Sequence, residues 1–227
     1  MENIKSWNPL WDKVFSGQEW GRYPSDNLIQ FVARNFYKKE RQRVKILEVG
    51  CGTGANIWYI AREGFKAFGI DGSQVAVQIA RERLQKDRLK AELIVGDIIN
   101  LPYADNQFDA VVDNECIYAN NTDNSKKIIA EIYRVLKPGG LFYSKTFSDK
   151  MYLGKHNIRH SEMEYSEISD GPLAGMGFSR LSSKETIKDV YSKFKSISLD
   201  CLEYSSHNRS FVVSEWVVIG QKTDEDK

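Results

Sequence analysis

The sequence has little cysteine, no surplus of charge of either sign, and no long apolar run. Its three cysteines, Cys51, Cys116 and Cys201, are widely spaced and form no C-x-x-C pair. That excludes a disulfide framework and a thiolate zinc site, leaves no metal expected, and implies a reducing, cytoplasmic setting. The charges cancel, with 32 Lys and Arg against 31 Asp and Glu and a net charge of +1. So even a balance lacks the basic footprint of a nucleic-acid binder and the polybasic patch of a membrane anchor. No apolar stretch approaches the ~18 residues needed to cross a bilayer. Residues 1–7 hold no apolar signal core. Internal repeats are absent as well.

Apolar and aromatic residues are plentiful, at 41% and 12% of 227 residues, which is enough for one α/β domain with a sizeable core. Strand and helix patterns alternate from residue 44. Val44–Val49 is a short β-branched apolar run, of the kind that forms a strand covered on both faces. A glycine-rich turn follows at 50–54, then a helix over Ala55–Glu63 that ends at Gly64. Phe65–Ile70 reads as a second strand ending at Asp71, and Ser73 as the N-cap of the next helix. Glu92–Gly96 and Phe108–Val112 read as strands ending at Asp97 and Asp113. A helix is expected over Lys127–Leu136, stopped by Pro138-Gly139-Gly140, with a fifth strand at Leu141–Phe147. This alternation predicts a doubly wound, mostly parallel sheet with helices on both faces.

Residues 1–43 carry Trp7, Trp11, Phe15 and Trp20 and predict a helical cap over the sheet. Residues 148–180 show no clear period and read as an irregular insertion. A closing helix at 183–194, strands at 196–204 and 211–220, and a disordered tail at 223–227 complete the expectation of a single domain over 1–222.

The turn after the first strand has the spacing Gly50-x-Gly52-x-Gly54, preceded by Glu48. A glycine-rich strand-to-helix turn lets backbone N–H groups approach a ligand. A dinucleotide site uses G-x-G-x-x-G around a pyrophosphate. A carboxylate just before the turn suits an amino-acid ammonium better than a pyrophosphate. Asp71 ends the second strand, where a carboxylate accepts ribose hydroxyls. Asp97, with Ile98 beside it, ends the third, within reach of an adenine. The set outlines an adenosine carrying an amino-acid arm.

These residues resemble the class I S-adenosylmethionine-dependent methyltransferases. Glu48-Val49-Gly50-Cys51-Gly52-Thr53-Gly54 is similar to their first motif, Asp71 to the acidic residue of their second strand, and Gly96-Asp97-Ile98 to their adenine motif. Leu101–Val111 and Leu136-Lys137-Pro138-Gly139-Gly140 look like the approaches to their fourth and fifth strands. The resemblance implies a seven-stranded Rossmann-like sheet with an antiparallel last strand, and S-adenosylmethionine as cofactor with S-adenosylhomocysteine as product. It implies cofactor contacts from Glu48, Gly50, Cys51, Gly52, Gly54, Asp71, Gly72, Asp97, Ile98 and Asn114, with Arg22 and Tyr23 reaching in from the cap.

Methyl transfer from a sulfonium is an in-line displacement that needs position and dryness more than a dedicated base. Where a base is used, Glu115, Tyr118 and His156 are the candidates, and His160 is a further histidine of the insertion. The Asn/Asp-Pro-Pro-Tyr tetrapeptide of DNA adenine methyltransferases is missing at Asp113–Tyr118. The expected activity is methylation of an O, N or S atom of a small molecule by a monomer or homodimer, without nucleic acid or membrane as partner. A non-catalytic cofactor-binding subunit, a protein- or tRNA-modifying enzyme, and a nicotinamide oxidoreductase are the alternatives. The G-x-G-x-G spacing and Glu48 speak against the last.

Overall fold

The computed structural model describes residues 6–223, so the expected disordered tail, from residue 224 on, lies outside the described residues. Two helices come first, α1 (Leu10–Gly17) and α2 (Asp26–Phe36). The alternating part follows as β1 (Lys45–Val49), α3 (Ala55–Arg62), β2 (Lys66–Asp71), α4 (Gln74–Lys86), β3 (Ala91–Val95), β4 (Phe108–Asn114), α5 (Thr122–Val135) and β5 (Leu136–Phe147). The insertion holds β6 (Ile158–Arg159), β7 (Glu164–Ser166) and β8 (Ser179–Arg180). Then α6 (Lys184–Val190), β9 (Ile197–Ser206) and β10 (Phe211–Gln221) close the chain.

The large sheet has seven strands in the order β3-β2-β1-β4-β5-β10-β9. β1 to β5 run parallel, and β10 is antiparallel to both β5 and β9. Strand order reverses between β1 and β4, and in open α/β sheets a ligand binds at that reversal, beyond the carboxyl ends of the strands. One face of the sheet is covered by Leu28, Phe31, Val32 and Phe36 of α2 with Ile57 and Ile60 of α3. The other is covered by Ile128, Ile129 and Ile132 of α5 with Ile187 and Val190 of α6. The alternating apolar positions of both helix pairs are therefore what fixes the layers.

Several boundaries differ from the sequence expectation. α5 starts at Thr122 because the Asn121 side chain accepts from the Asn124 N–H at 2.9 Å and caps it there. β5 opens at Leu136 instead of 141: Leu136 pairs with Phe108 and Leu141 with Ala110, so Pro138-Gly139-Gly140 forms an irregularity within the ladder. α6 ends at Val190, and Tyr191 and Phe194 beyond it stack on Phe142. The insertion is not irregular throughout. Its three short strands form a separate antiparallel sheet, β6-β7-β8, too short to show a period in sequence.

Candidate functional site

β1 delivers Glu48 to the switch point. Glu48 is 2% exposed; its Oε1 accepts from Asn56 Nδ2 on the first turn of α3 at 2.6 Å, and its Oε2 is buried without a hydrogen-bond partner. Burial pushes its carboxyl up to about 8, against the lowering Asn56 bond and with added repulsion from Asp71 and Asp113. A buried carboxylate oxygen left open at the foot of a glycine turn is a socket for a cation.

The glycines of the turn serve packing as well as ligand approach. Gly54 has φ +84°, and a Cβ there would come within 2.7 Å of the Ala80 Cβ on α4. Gly50 has φ +65°, and a Cβ there would run into the Cys116 side chain. Only Gly52 faces outward, toward the Phe15 ring of α1.

Asp71 closes β2 under the turn. Its Oδ2 accepts the Gly52 N–H at 2.8 Å and its Oδ1 the Ser73 N–H at 2.8 Å. Burial raises its carboxyl pKa, and these two backbone bonds oppose that shift. Each oxygen keeps a further lone pair for a hydroxyl donor. The space beside it is narrow. Ser6 Oγ donates to Asp97 Oδ1, Ser73 Oγ donates to Asp12 at 2.5 Å, and the Trp7 ring lies where a Cβ on Gly72 would be. The cavity left between Asp71, Gly72, Ile98 and Trp7 is about 70 Å³.

A larger cavity, about 440 Å³, opens on the other side of the turn. Glu48 and residues 50–56 form its floor, and Trp11, Phe15 and Trp20 one wall. Asn114, Glu115, Tyr118 and Phe147 form the opposite wall, and Pro172, Leu173 and Met176 of the insertion close it. Among the described residues, no lysine, arginine or histidine lines it. Tyr118 is 3% exposed and packs edge-on against Phe147 at 4.6 Å; burial raises its hydroxyl pKa, so it stays a neutral group. Asn114 accepts from Ser25 Oγ at 3.0 Å, which ties the start of α2 to the end of β4.

Residues 46–140 match a family described as a methyltransferase domain. Over that span the chain resembles the class I S-adenosylmethionine-dependent methyltransferases. Its relatives include the sterol 24-C-methyltransferase ERG6A of Gibberella zeae, 34% identical over 134 residues that cover 56% of this chain and 34% of that protein. They include the demethylmenaquinone methyltransferase of Symbiobacterium thermophilum, 33% identical over 147 residues, 60% of this chain and 55% of that protein. The chain thus spans between about a third and just over half the length of these relatives. Among solved structures, an S-adenosylmethionine-dependent methyltransferase of Methanosarcina mazei superposes with a TM-score of 0.71 at 23% identity, covering 88% of this chain and 99% of that one.

The fold brings Glu48, Gly50, Cys51, Gly52, Gly54, Asn114, Glu115 and Tyr118 together around the large cavity, with Tyr23 at its rim. Asp71, Gly72 and Ile98 line the small one, and Asp97 is held by Ser6 beside it. The donor set fits the cofactor: an open buried carboxylate oxygen for an ammonium, a carboxylate with spare lone pairs for hydroxyls. At the adenosine end, Ser6 on Asp97 and Trp7 against Gly72 occupy the space beside Asp71.

Two expected residues lie elsewhere. Arg22 turns outward to Glu19, because a carboxylate three residues away captures its exposed guanidinium. His156 is exposed in the insertion and lines neither cavity; its backbone pairs with Ser169, donating its N–H to Oγ at 3.1 Å and accepting the Ser169 N–H at 3.0 Å. His160 is likewise exposed, bonded to Ser166 Oγ at 2.7 Å. Arg83 was not singled out from sequence, since it looks like one more charge on α4. Its guanidinium donates to the carbonyls of Trp20 at 2.7 Å, Gly21 at 2.9 Å and Thr53 at 3.0 Å, latching the cap onto the glycine turn.

Proposed function

We propose that this chain transfers a methyl group from S-adenosylmethionine to a small, apolar acceptor. The observation that carries the reading is the 440 Å³ cavity that joins the open Glu48 oxygen to an aromatic, cation-free chamber roofed by the insertion. When bound, the cofactor supplies an electrophilic methyl group on a sulfonium. Glu48 receives the ammonium of its amino-acid arm, Asp71 the ribose hydroxyls, and Asp97 with Ile98 the adenine. The turn at 50–54 and Asn114 border the arm between them.

Trp11, Phe15, Trp20 and Phe147 exclude water from the reacting centre and hold the acceptor in line. Glu115 is the base for an acceptor whose proton must leave, and Tyr118 orients it by hydrogen bonding. An anionic acceptor finds no counter-charge here, whereas a flat or greasy one finds aromatic faces. That agrees with the apolar acceptors named in the sterol and demethylmenaquinone relatives. The acceptor atom is O, N or S, or carbon as in the sterol relative's name. Three separate free thiols support a cytoplasmic place. Calorimetry with S-adenosylhomocysteine tests the reading: the wild type binds and Asp71→Ala loses most of the affinity. A wild type that does not bind overturns it.

A further inference from the structure

Among the described residues, the one carboxylate besides Glu48 lining the large cavity is Glu115, and it is not a simple surface acid. It follows β4 with φ +59°, a left-handed conformation that a side-chain-bearing residue rarely adopts. Its N–H donates to the Lys145 carbonyl at 2.9 Å. Lys145 Nζ, on β5, lies 2.8 Å from Glu115 Oε1 and 2.8 Å from Glu215 Oε2 on β10. The side chains of Lys145 and Glu215 are 12% and 5% exposed, and that of Glu115 is 30% exposed. Burial works against the Lys145 charge, but the two carboxylates outweigh it and raise its pKa. Burial first, and Glu115 second, raise that of Glu215.

Lys145 and Glu215 alone would make a complete, neutral buried pair. Glu115 is the extra charge, and it is the member that reaches the cavity. Three adjacent strand ends thus present a rigid group of formal charge −1 to a chamber with aromatic walls and, among the described residues, no cation. Such a setting is complementary to a positive centre. The unpartnered Glu48 Oε2 marks the same cavity as a ligand site.

We propose that Glu115, positioned by Lys145 and Glu215, is the fixed counter-charge to the sulfonium of the methyl donor. This rests on the S-adenosylmethionine reading above. The consequence is discrimination between donor and product. Methyl transfer turns the cationic sulfonium into a neutral thioether, so the product loses this attraction and leaves while fresh donor is preferred. Lys145 and Glu215 act through Glu115 and touch no ligand.

The test compares dissociation constants of S-adenosylmethionine and S-adenosylhomocysteine for the wild type and for Glu115→Gln, Glu215→Gln and Lys145→Arg. The two ligands share every other group, so their ratio reads the charge and not the fold. The wild type favours the cationic ligand. Glu115→Gln and Glu215→Gln each lower that preference about tenfold, with S-adenosylhomocysteine affinity held within about twofold, and Lys145→Arg retains it. Should Glu115→Gln lose both ligands, Glu215→Gln, which lies off the cavity, decides. An unchanged ratio in Glu215→Gln, or in a Glu115→Gln that still binds, overturns the proposal. Binding of neither ligand by the wild type overturns the function reading itself, and this inference with it.

Discussion

On the proposed reading, Glu48 makes cofactor binding a proton-release reaction. With its carboxyl raised to about 8, Glu48 is ~90% protonated at pH 7 in the ligand-free protein. An ammonium seated on Oε2 requires the carboxylate, so binding at pH 7 expels ~0.9 proton, and at pH 9 only ~0.1. The ionised fraction grows from ~1% at pH 6 to ~50% at pH 8, which predicts an affinity gain of roughly 50-fold over that interval. Titration calorimetry with S-adenosylhomocysteine, in buffers of different ionisation enthalpy, reads the proton count directly as a slope. A slope below ~0.2 proton at pH 7 refutes the assignment, as does a slope that survives in Glu48→Gln. The same group sets a stability trend. Its folded pKa lies above its ordinary value of 4.5, so this contribution is full below about 4.5 and is lost as pH rises to about 8. The loss reaches roughly 3 kcal/mol by pH 7. Glu48→Gln cannot ionise and should flatten that decline in urea unfolding measured at pH 5 and pH 8, while binding the ligand poorly.

Trp7 lies against Gly72 and must move when an adenosine enters, so ligand binding changes its fluorescence. Trp7→Phe should remove most of the tryptophan signal change that S-adenosylhomocysteine produces in the wild type; an undiminished change contradicts the placement. Arg83→Met deletes the latch on the Trp20, Gly21 and Thr53 carbonyls. Charged hydrogen bonds of this kind are worth ~1.5–3 kcal/mol when well shielded and less at this half-exposed site, so S-adenosylhomocysteine affinity should fall about tenfold. Proteolysis of residues 8–22 should quicken in parallel, and an unchanged cleavage rate would count against the latch.

The acidic residues proposed for the cofactor could be named from the sequence because each lies at or near the end of a strand. β1, β2 and β3 carry periodic apolar runs, and Glu48, Asp71 and Asp97 follow from where those runs stop. The turn glycines were also legible, though two of them face Cys116 and Ala80 more than a ligand. Glu115 and Tyr118, which follow the end of β4, were also nameable and line the large cavity, but the groups that hold them were not legible. Glu215 sits between Ser214 and Trp216 on a closing strand, and only the antiparallel return of β10 beside β5 sets it against Lys145. Arg83 is one of several charges on α4 until the cap folds back on it. The insertion hid its small sheet because strands of two or three residues carry no period. His156 and Arg22 were chosen for their chemistry alone, and local partners or solvent hold both away from the cavity. Local pattern therefore placed what depends on chain order, and long-range pairing placed the rest.

The central claim is methyl transfer to a small apolar molecule, and label transfer tests it most directly. The protein is incubated with methyl-labelled S-adenosylmethionine and a small-molecule cell extract, then partitioned between organic solvent, water and precipitated macromolecules. Label should appear in the organic phase with the wild type and be lost with Asp71→Ala. Label confined to protein or RNA, or no transfer at all while S-adenosylmethionine is bound, would contradict the account.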